Sequence, residues 1–316
     1  MSVDAAEPRP VRGFPPTFLW GASTASHQVE GNNCRNDWWA LEEQGRLPYR
    51  SGDACRQFEL YEQDFDMARA WGHNAHRFSL EWSRIEPSEG VWDPEALAHY
   101  ARVIRALRDR GMEPIVTLHH FTNPQWFAAR GGWARADSVK LFRRYVEHVA
   151  AHLGESVRFW LTINEPTVYV KRAFVVGDWP PCQRRSFVEG VITLWNMMRA
   201  HRVAYGALHK ARPDAMVGMA HSAPFVEPCN PHSVADRWCA FFRDFVLNRG
   251  CLALLGFAPR RYLDFLGINY YTRQIAKFAP GLMSAVVGRE CKDDHHAEPR
   301  RFNTLGWEVF APGLTR

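Results

Sequence analysis

Residues 159–166 read FWLTINEP, and this stretch decides the fold. Residues 159–163 are aromatic, aliphatic or β-branched, which predicts a buried strand. Pro166 ends the strand and is preorganised for the first turn of a helix. Glu165 therefore stands at the carboxyl end of a strand. A carboxylate there either caps the following helix or faces a functional site, and the stretch alone leaves both interpretations open.

Strands and helices alternate on both sides of this stretch. Short apolar, β-rich runs occupy residues 18–23, 75–82, 114–121, 159–164, 216–221 and 263–271. Segments with the apolar spacing of amphipathic helices lie between them, at residues 61–71, 97–108, 141–153 and 187–208. This alternation predicts parallel strands joined by right-handed crossovers.

Polar residues crowd the predicted carboxyl ends of these strands, as they do at the active-site face of a TIM barrel. They are Gln28, Arg77, Glu81, His119, His120, Asn164, Glu165, Asn269 and Tyr271. No GxGxxG or P-loop motif is present, which disfavours an open dinucleotide-binding sheet. We therefore expect an α/β protein of the (β/α)8 TIM-barrel type, with one domain over residues 1–316. The barrel is expected to be incomplete, with about six of its eight β/α units and without the two C-terminal ones.

Composition and charge exclude several classes of protein. Of the 316 residues, 46% are hydrophobic and 23% charged, which excludes a disordered chain. The net charge of +5 is spread without long runs, so no nucleic-acid partner is expected. No membrane partner is expected either, because no run of 18 apolar residues occurs. The start lacks a signal-peptide pattern and the seven cysteines are scattered, which predicts a cytoplasmic protein with reduced thiols.

Five motifs occur in order, each at a predicted strand and the loop that follows it. They are FLWGASTASHQVEG, HRFSLEWSRIEP, VTLHHFTNPQWF, LTINEP and LDFLGINYYTR. Together they resemble glycoside hydrolase family 1, the β-glucosidase and β-galactosidase family of retaining enzymes, over residues 13–316. The resemblance implies hydrolysis of terminal β-D-glucosides or β-D-galactosides, with β-linked mono- or oligosaccharide glycosides as partners. It implies no metal and no organic cofactor, because two carboxyl groups suffice for the chemistry.

The resemblance also assigns roles on the acid side of the reaction. Glu165 matches the family's acid/base glutamate, which protonates the leaving oxygen. A raised pKa is needed for that role, and we expect it to come from partial burial and a neighbouring negative charge. Asn164 matches the family's hydrogen-bond donor to the sugar 2-hydroxyl.

Other matched positions lie around the sugar. Gln28 and His120 match positions that hold its outer hydroxyls, and Phe121 stands where many members carry tryptophan. Arg77 matches an arginine that orients the nucleophile, a role that Asn269 shares. Tyr271 matches a tyrosine that supports the same carboxylate at the substrate site. We also expect Trp126 and Trp179 to lie near the leaving group.

The family's nucleophile, a glutamate in a TENG-like motif, has no counterpart in these 316 residues. The glutamates after Tyr271 are Glu290, Glu298 and Glu308, and none precedes Asn-Gly. Glu81 is the only other strand-borne carboxylate in a comparable position. Because a covalent intermediate needs a second carboxylate, we expect the chain alone to be inactive or weakly active.

Three hypotheses about function stay open. In the first, the chain is an incomplete β-glycosidase with little hydrolysis of its own. In the second, it is half of a barrel that is completed by a second polypeptide or by self-association through its open edges. In the third, it is a non-catalytic carbohydrate-binding or regulatory protein. Glucosides, galactosides, fucosides and 6-phospho-glycosides are not distinguished. The stretch CKDDHH at residues 291–296 contains metal-ligand residue types, but adjacent loop residues rarely share an ion, so we expect a solvated loop.

Overall fold

The computed structural model describes residues 13–254, 261–281, 284–291 and 300–315. The N-terminal stretch without a signal-peptide pattern, residues 1–12, lies outside these ranges, as does residue Glu298 and most of the stretch 291–296. The strands are β1 Gly21–Ser23, β2 Ala75–Ser79, β3 Glu113–His119, β4 Phe159–Asn164, β5 Met216–Ser222, β6 Phe225–Pro228, β7 Phe265–Asn269, β8 Arg273–Lys277 and β9 Arg289–Glu290.

Twelve α-helices occur in the described ranges. They are α1 Ser26–Val29, α2 Asp37–Glu43, α3 Gln57–Ala70, α4 Trp82–Ile85, α5 Pro94–Asp109, α6 Gln125–Ala129, α7 Ser138–Leu153, α8 Pro166–Val170, α9 Phe187–Ala211, α10 Val234–Asp244, α11 Gly250–Ala253 and α12 Ser284–Val287. π-Helical turns cover Lys171–Val176 and Phe245–Arg249. Within these ranges no helix has the length and apolar character needed to cross a membrane.

Six strands form one parallel sheet, in the order β1-β2-β3-β4-β5-β7. Gly21 lies opposite Ala75 at one side of the sheet, and Ser222 lies opposite Asn269 at the other. Helices separate successive strands along the chain, so the order and direction are those predicted for six units of an incomplete (β/α)8 barrel. All carboxyl strand ends therefore meet at one face of the sheet.

Helix α5 shows why the helices form and how they cover the sheet. Asp93 accepts hydrogen bonds from the N–H groups of Glu95 and Ala96, and Pro94 occupies the first turn. These are strong signals for a helix start. Apolar residues then recur on one face of the helix, where Tyr100 is 1% and Leu107 0% exposed. That face packs into the core between sheet and helices.

An aromatic cluster fills the core where α4, α6 and α7 meet. Trp82 is 1% exposed and stacks on Tyr145 with ring centroids 4.8 Å apart. Its indole N–H donates to Glu86 at 2.8 Å, which satisfies its polar atom inside the core. Trp126 lies edge-on to Trp82 and donates to the carbonyl oxygen of Glu86 at 2.9 Å. Trp126 is thus held by packing and by a backbone acceptor.

A second, three-stranded sheet was not expected from the sequence. Strand β8 pairs with β6 in parallel and with β9 antiparallel. Strands β6 and β8 continue the direction of β5 and β7, since Ala223 N–H donates to Asn269 O and Phe225 N–H to Thr272 O. The second sheet thus extends the carboxyl face of the barrel on one side.

The second sheet corrects the prediction that all cysteines are free thiols. Cys229 and Cys291 form a disulfide although 62 residues separate them. Their N–H groups donate to the carbonyl oxygens of Ala276 and Ile275, which brings the two Cα atoms within 5.9 Å. The prediction missed the pair because it did not include the sheet that joins the two segments.

Strands β1 and β7 are the two edges of the six-stranded sheet. Apolar side chains are exposed on and beside both edges, with Trp20 at 40%, Leu266 at 36% and Ile268 at 60%. Trp20 also contacts Phe14 and Phe18, whose rings form a small exposed cluster before β1. Edge strands with exposed apolar residues favour pairing with another chain.

Candidate active site

Glu165 forms the turn between the end of β4 and the start of α8. Glu165 has φ 44° and ψ 59°, a left-handed conformation that is uncommon for residues other than glycine. The conformation is held on both sides, because Glu165 N–H donates to Ala220 O at 2.8 Å and its carbonyl accepts from Val168 and Tyr169. Its side chain makes no capping hydrogen bond to α8, so the helix-capping interpretation is wrong.

The carboxyl group of Glu165 belongs to a polar network from four strands. Asn269 Nδ2 donates to Glu165 Oε1 at 2.6 Å and lies 3.2 Å from Asn164 Oδ1. Arg77 donates to the same Asn164 oxygen at 2.6 Å. Asn164 Nδ2 lies 3.2 Å from His120 Nε2. The structure thus brings five predicted site residues into one contiguous network.

Burial is the main electrostatic influence on Glu165. It raises the pKa of this carboxyl above its ordinary value, and hydrogen bonds from Asn269 and Tyr271 and the charge of Arg77 oppose the rise. The expected neighbouring negative charge is not among these causes. Burial alone therefore keeps the carboxyl protonated to a higher pH than an exposed glutamate.

His120 is held as a neutral imidazole. Burial lowers its pKa well below the ordinary range, and the positive charge of Arg77 lowers it further. Asn164 Nδ2 is a donor, so Nε2 of His120 accepts and its proton lies on Nδ1, a buried atom without a hydrogen-bond partner among the described residues. A neutral imidazole with a free N–H suits a hydroxyl oxygen.

Of the remaining matched residues, Phe121 and Tyr271 contact members of this network. Gln28 is exposed in α1, directly after β1. Phe121 has φ 72° and its ring lies 4.7 Å from Trp179. Tyr271 is 50% exposed and its hydroxyl hydrogen-bonds Glu165, a contact that helps to raise the tyrosine pKa to about 12. In this structure Tyr271 therefore contacts Glu165.

The other candidate carboxylates have different surroundings. Glu81 is fully buried and accepts hydrogen bonds from the hydroxyl groups of Ser26, Ser83 and Thr122. Glu308 is bound by Arg273 and Arg300, which hold its pKa below the ordinary range. Glu290 pairs with Arg243 at 3.1 Å. Each of these carboxylates is thus occupied in a local hydrogen-bond or ion-pair network.

Sequence reasoning missed two residues that shape the site. Thr117 accepts from Arg77 Nε at 3.0 Å and fixes the guanidinium beneath Asn164. Strand alternation was the available signal, because it places the side chain of Thr117 on the other face of β3 from those of Val116 and Leu118. The ring centroids of Trp38 and Trp179 lie 5.3 Å apart, so Trp38 joins the aromatic pair of Phe121 and Trp179. No motif identified Trp38, because its contact depends on the folded loops.

Glu165 opens onto a cleft of about 1290 Å³ on the carboxyl face. The cleft lies between α8 and its π-helical turn on one side and α10, β8 and residues 300–308 on the other. In the described part of the chain, no group of three or more metal-ligating residues could hold an ion. Polar, cationic and apolar side chains line the cleft.

Residues 11–253 match the sequence model of glycosyl hydrolase family 1. The chain belongs to glycosyl hydrolase family 1. Beta-glucosidase A from Thermotoga maritima is 28% identical to this family 1 chain, over 96% of the chain and 74% of the relative. The family therefore includes this chain together with enzymes described as beta-glucosidases.

Solved structures confirm the incomplete family 1 barrel. The beta-glycosidase from Pyrococcus horikoshii is 37% identical with a TM-score of 0.87, over 95% of this chain and 71% of that structure. The Thermotoga maritima beta-glucosidase in complex with glucoimidazole is 25% identical with a TM-score of 0.85, over 96% of this chain and 74% of that structure. The prediction of an incomplete (β/α)8 fold is thus confirmed.

Proposed function

We propose that this chain binds terminal β-D-glycosides and that Glu165 donates a proton to the glycosidic oxygen, as in retaining glycosidases. The observation that carries the proposal is the buried Glu165 carboxyl at the end of β4, with a raised pKa and with donors from Asn269 and Tyr271. A carboxyl group must hold its proton near working pH to act as a general acid. Relatives described as a beta-glucosidase and a beta-galactosidase support a glucoside or galactoside as substrate.

The network around Glu165 supports roles for the other residues. Asn164 is placed to donate to the sugar 2-hydroxyl, a contact that strengthens in an oxocarbenium-like transition state. His120 has an unpaired buried N–H and is suited to a second hydroxyl oxygen. We assign Gln28 and Phe121 to the outer rim of the same sugar site, and Tyr271 to its base beside Glu165.

A retaining mechanism needs a second carboxylate about 5 Å from the acid. In the described ranges, the groups that shift the pKa of Glu165 are the hydrogen-bond donors Asn269 and Tyr271 and the guanidinium of Arg77. None of these groups is a carboxylate. We propose that Arg77 and Asn269 orient a nucleophilic carboxylate that residues 1–316 do not supply. Turnover by this chain alone is then weak or absent, and a carbohydrate-binding role is the second candidate function.

Glucoimidazole tests the sugar site without requiring turnover. The inhibitor should bind the wild-type chain, because its basic nitrogen accepts the Glu165 proton. Glu165→Gln should weaken binding by about 10–100-fold, since a charge-assisted hydrogen bond is lost. Tryptophan fluorescence measures the affinity, and hydrolysis of p-nitrophenyl β-D-glucoside is followed in parallel.

Three results are informative in this experiment. Binding that depends on Glu165 without hydrolysis above the Glu165→Gln level is the expected result. Equal binding by both proteins, or none by either, contradicts the proposed site. Hydrolysis that Glu165→Gln abolishes shows that a second carboxylate is present.

We also propose that the chain self-associates through its two sheet edges. Light scattering should then give a mass that rises with protein concentration. Ile268→Lys should lower that mass, because a charge on β7 opposes edge pairing. Ile192→Lys, on the exposed face of α9, is the matched control. A constant monomer mass, or an equal effect of both variants, contradicts association through the edges.

A further inference from the structure

The cleft beside Glu165 carries an excess of positive charge. Its described cationic side chains are Lys171, Arg172, Arg243, Arg273, Arg289 and Arg300. Its carboxylates are Glu165, Glu290 and Glu308. Glu165 has a raised pKa and contributes less negative charge near neutral pH than an exposed glutamate. The cleft therefore attracts anions.

Most of these arginines already have partners. Arg172 pairs with Asp178 at 2.6 Å. Arg243 is 9% exposed, and it donates to the carbonyl oxygens of Val287 and Gly288 as well as to Glu290. These arginines are fixed in place by such contacts, so they form a cationic wall with little freedom to move.

Lys171 differs from the arginines. Its ammonium makes no hydrogen bond or ion pair with a described residue, although it lies on the wall of the cleft. Burial lowers its pKa, and the charges of Arg243 and Arg172 lower it further. The carboxylate that offsets them is Glu290, which is held by Arg243 and by the N–H of Ile275. Because Lys171 is exposed on the cleft wall, an anion from outside can reach its ammonium and offset the repulsion.

Lys171 also stands at a useful distance from the acid. Lys171 follows Glu165 by six positions, and the five residues of α8 lie between them. At 1.5 Å per residue this corresponds to about 9 Å along the helix. A benzene ring attached to the glycosidic oxygen spans much of that length. Because Glu165 and Lys171 line the same cleft, a substituent at the far end of that ring can extend along the cleft toward Lys171.

We propose that this cleft binds the leaving group of the glycoside and that Lys171 selects leaving groups with a carboxylate at the end remote from the sugar. This inference rests on the proposed function of Glu165. It adds a specificity-determining residue and names the substrate class as β-glycosides of aromatic acids. Arg243 and Arg172 contribute a positive field at the same spot, while their own contacts keep them in place.

Two ligands that differ only in charge test the inference. They are 4-carboxyphenyl β-D-glucoside and its neutral amide, 4-carbamoylphenyl β-D-glucoside, and calorimetry on the full chain at low salt measures both affinities. The carboxylate should bind about two- to fivefold tighter than the amide, as expected for one ion pair near the surface. Salt at 0.5 M should reduce the preference through screening.

Lys171→Met should remove the preference, so that the carboxylate and the amide bind this variant with equal affinity. Lys210→Met, an exposed lysine of α9, should retain it. Equal affinities for the two ligands in the wild-type chain overturn the inference alone, because the amide still reports the sugar site. A preference that persists in Lys171→Met also overturns it. Binding of neither ligand overturns the inference and the proposed function together.

Discussion

Sodium formate should restore cleavage of phenyl β-D-glucoside by the 316-residue chain. Formate is a small carboxylate, and the guanidinium of Arg77 lies beside Glu165 where it can attract one. A formate oxygen attacks the anomeric carbon while the bond to the phenol oxygen breaks, and Glu165 gives its proton to that oxygen. The products are phenol and an α-glucosyl formate, which water then hydrolyses.

Glu165→Gln should lower the formate-dependent rate by about 10²–10⁴-fold, the usual contribution of a general acid. Phenol release measured against formate concentration gives this rate. The rate should fall as the pH rises, because only the protonated carboxyl donates, and the midpoint should lie above 4.5. Binding of glucoimidazole without any formate-dependent rate contradicts the catalytic proposal and supports the carbohydrate-binding alternative.

Trp82→Ala should lower the free energy of unfolding by about 3–5 kcal/mol. Trp82 is 1% exposed, stacks on Tyr145 and satisfies its indole N–H with Glu86. The substitution leaves a large cavity and removes a donor from a buried carboxylate. Equilibrium unfolding in urea, followed by circular dichroism, measures the loss.

Trp71→Ala is the matched control for this prediction. Trp71 follows α3 and is 72% exposed, so its removal should change the free energy of unfolding by less than about 0.5 kcal/mol. Similar losses in the two variants contradict the assignment of Trp82 to the core.

Sequence patterns predicted the central strands better than the edges. Strand β4 has the predicted bounds, because an apolar strand paired on both sides follows its hydrophobic pattern. Strand β1 covers Gly21–Ser23 instead of 18–23, because β2 begins at Ala75 and Ala75 lies opposite Gly21. The strands β6, β8 and β9 were missed because they are short and half polar, so they show no clear alternation.

The sequence predicted the residues of the candidate site, but it did not predict the backbone conformation of Glu165 or the cause of its raised pKa. Motif positions identified Asn164, Glu165 and Asn269, and the structure places them in hydrogen-bond contact. The left-handed backbone of Glu165 left no trace in residue type, because glycine is the usual signal for it. The raised pKa was expected in part from a second charge, whereas burial causes it. Burial of one carboxyl depends on packing between distant segments, which local patterns do not contain.

Strand β7 gives the site a further property, since Asn269 lies at its end and β7 has only one neighbouring strand. Edge strands open locally at a smaller free-energy cost than strands paired on both sides. Each such opening releases the donor on Glu165 and loosens the network at Asn164. Occupation of the edge and order of the hydrogen-bond network at Asn164 are therefore thermodynamically linked, so each favours the other. The self-associated form that we propose should accordingly bind glucoimidazole more tightly than the monomer.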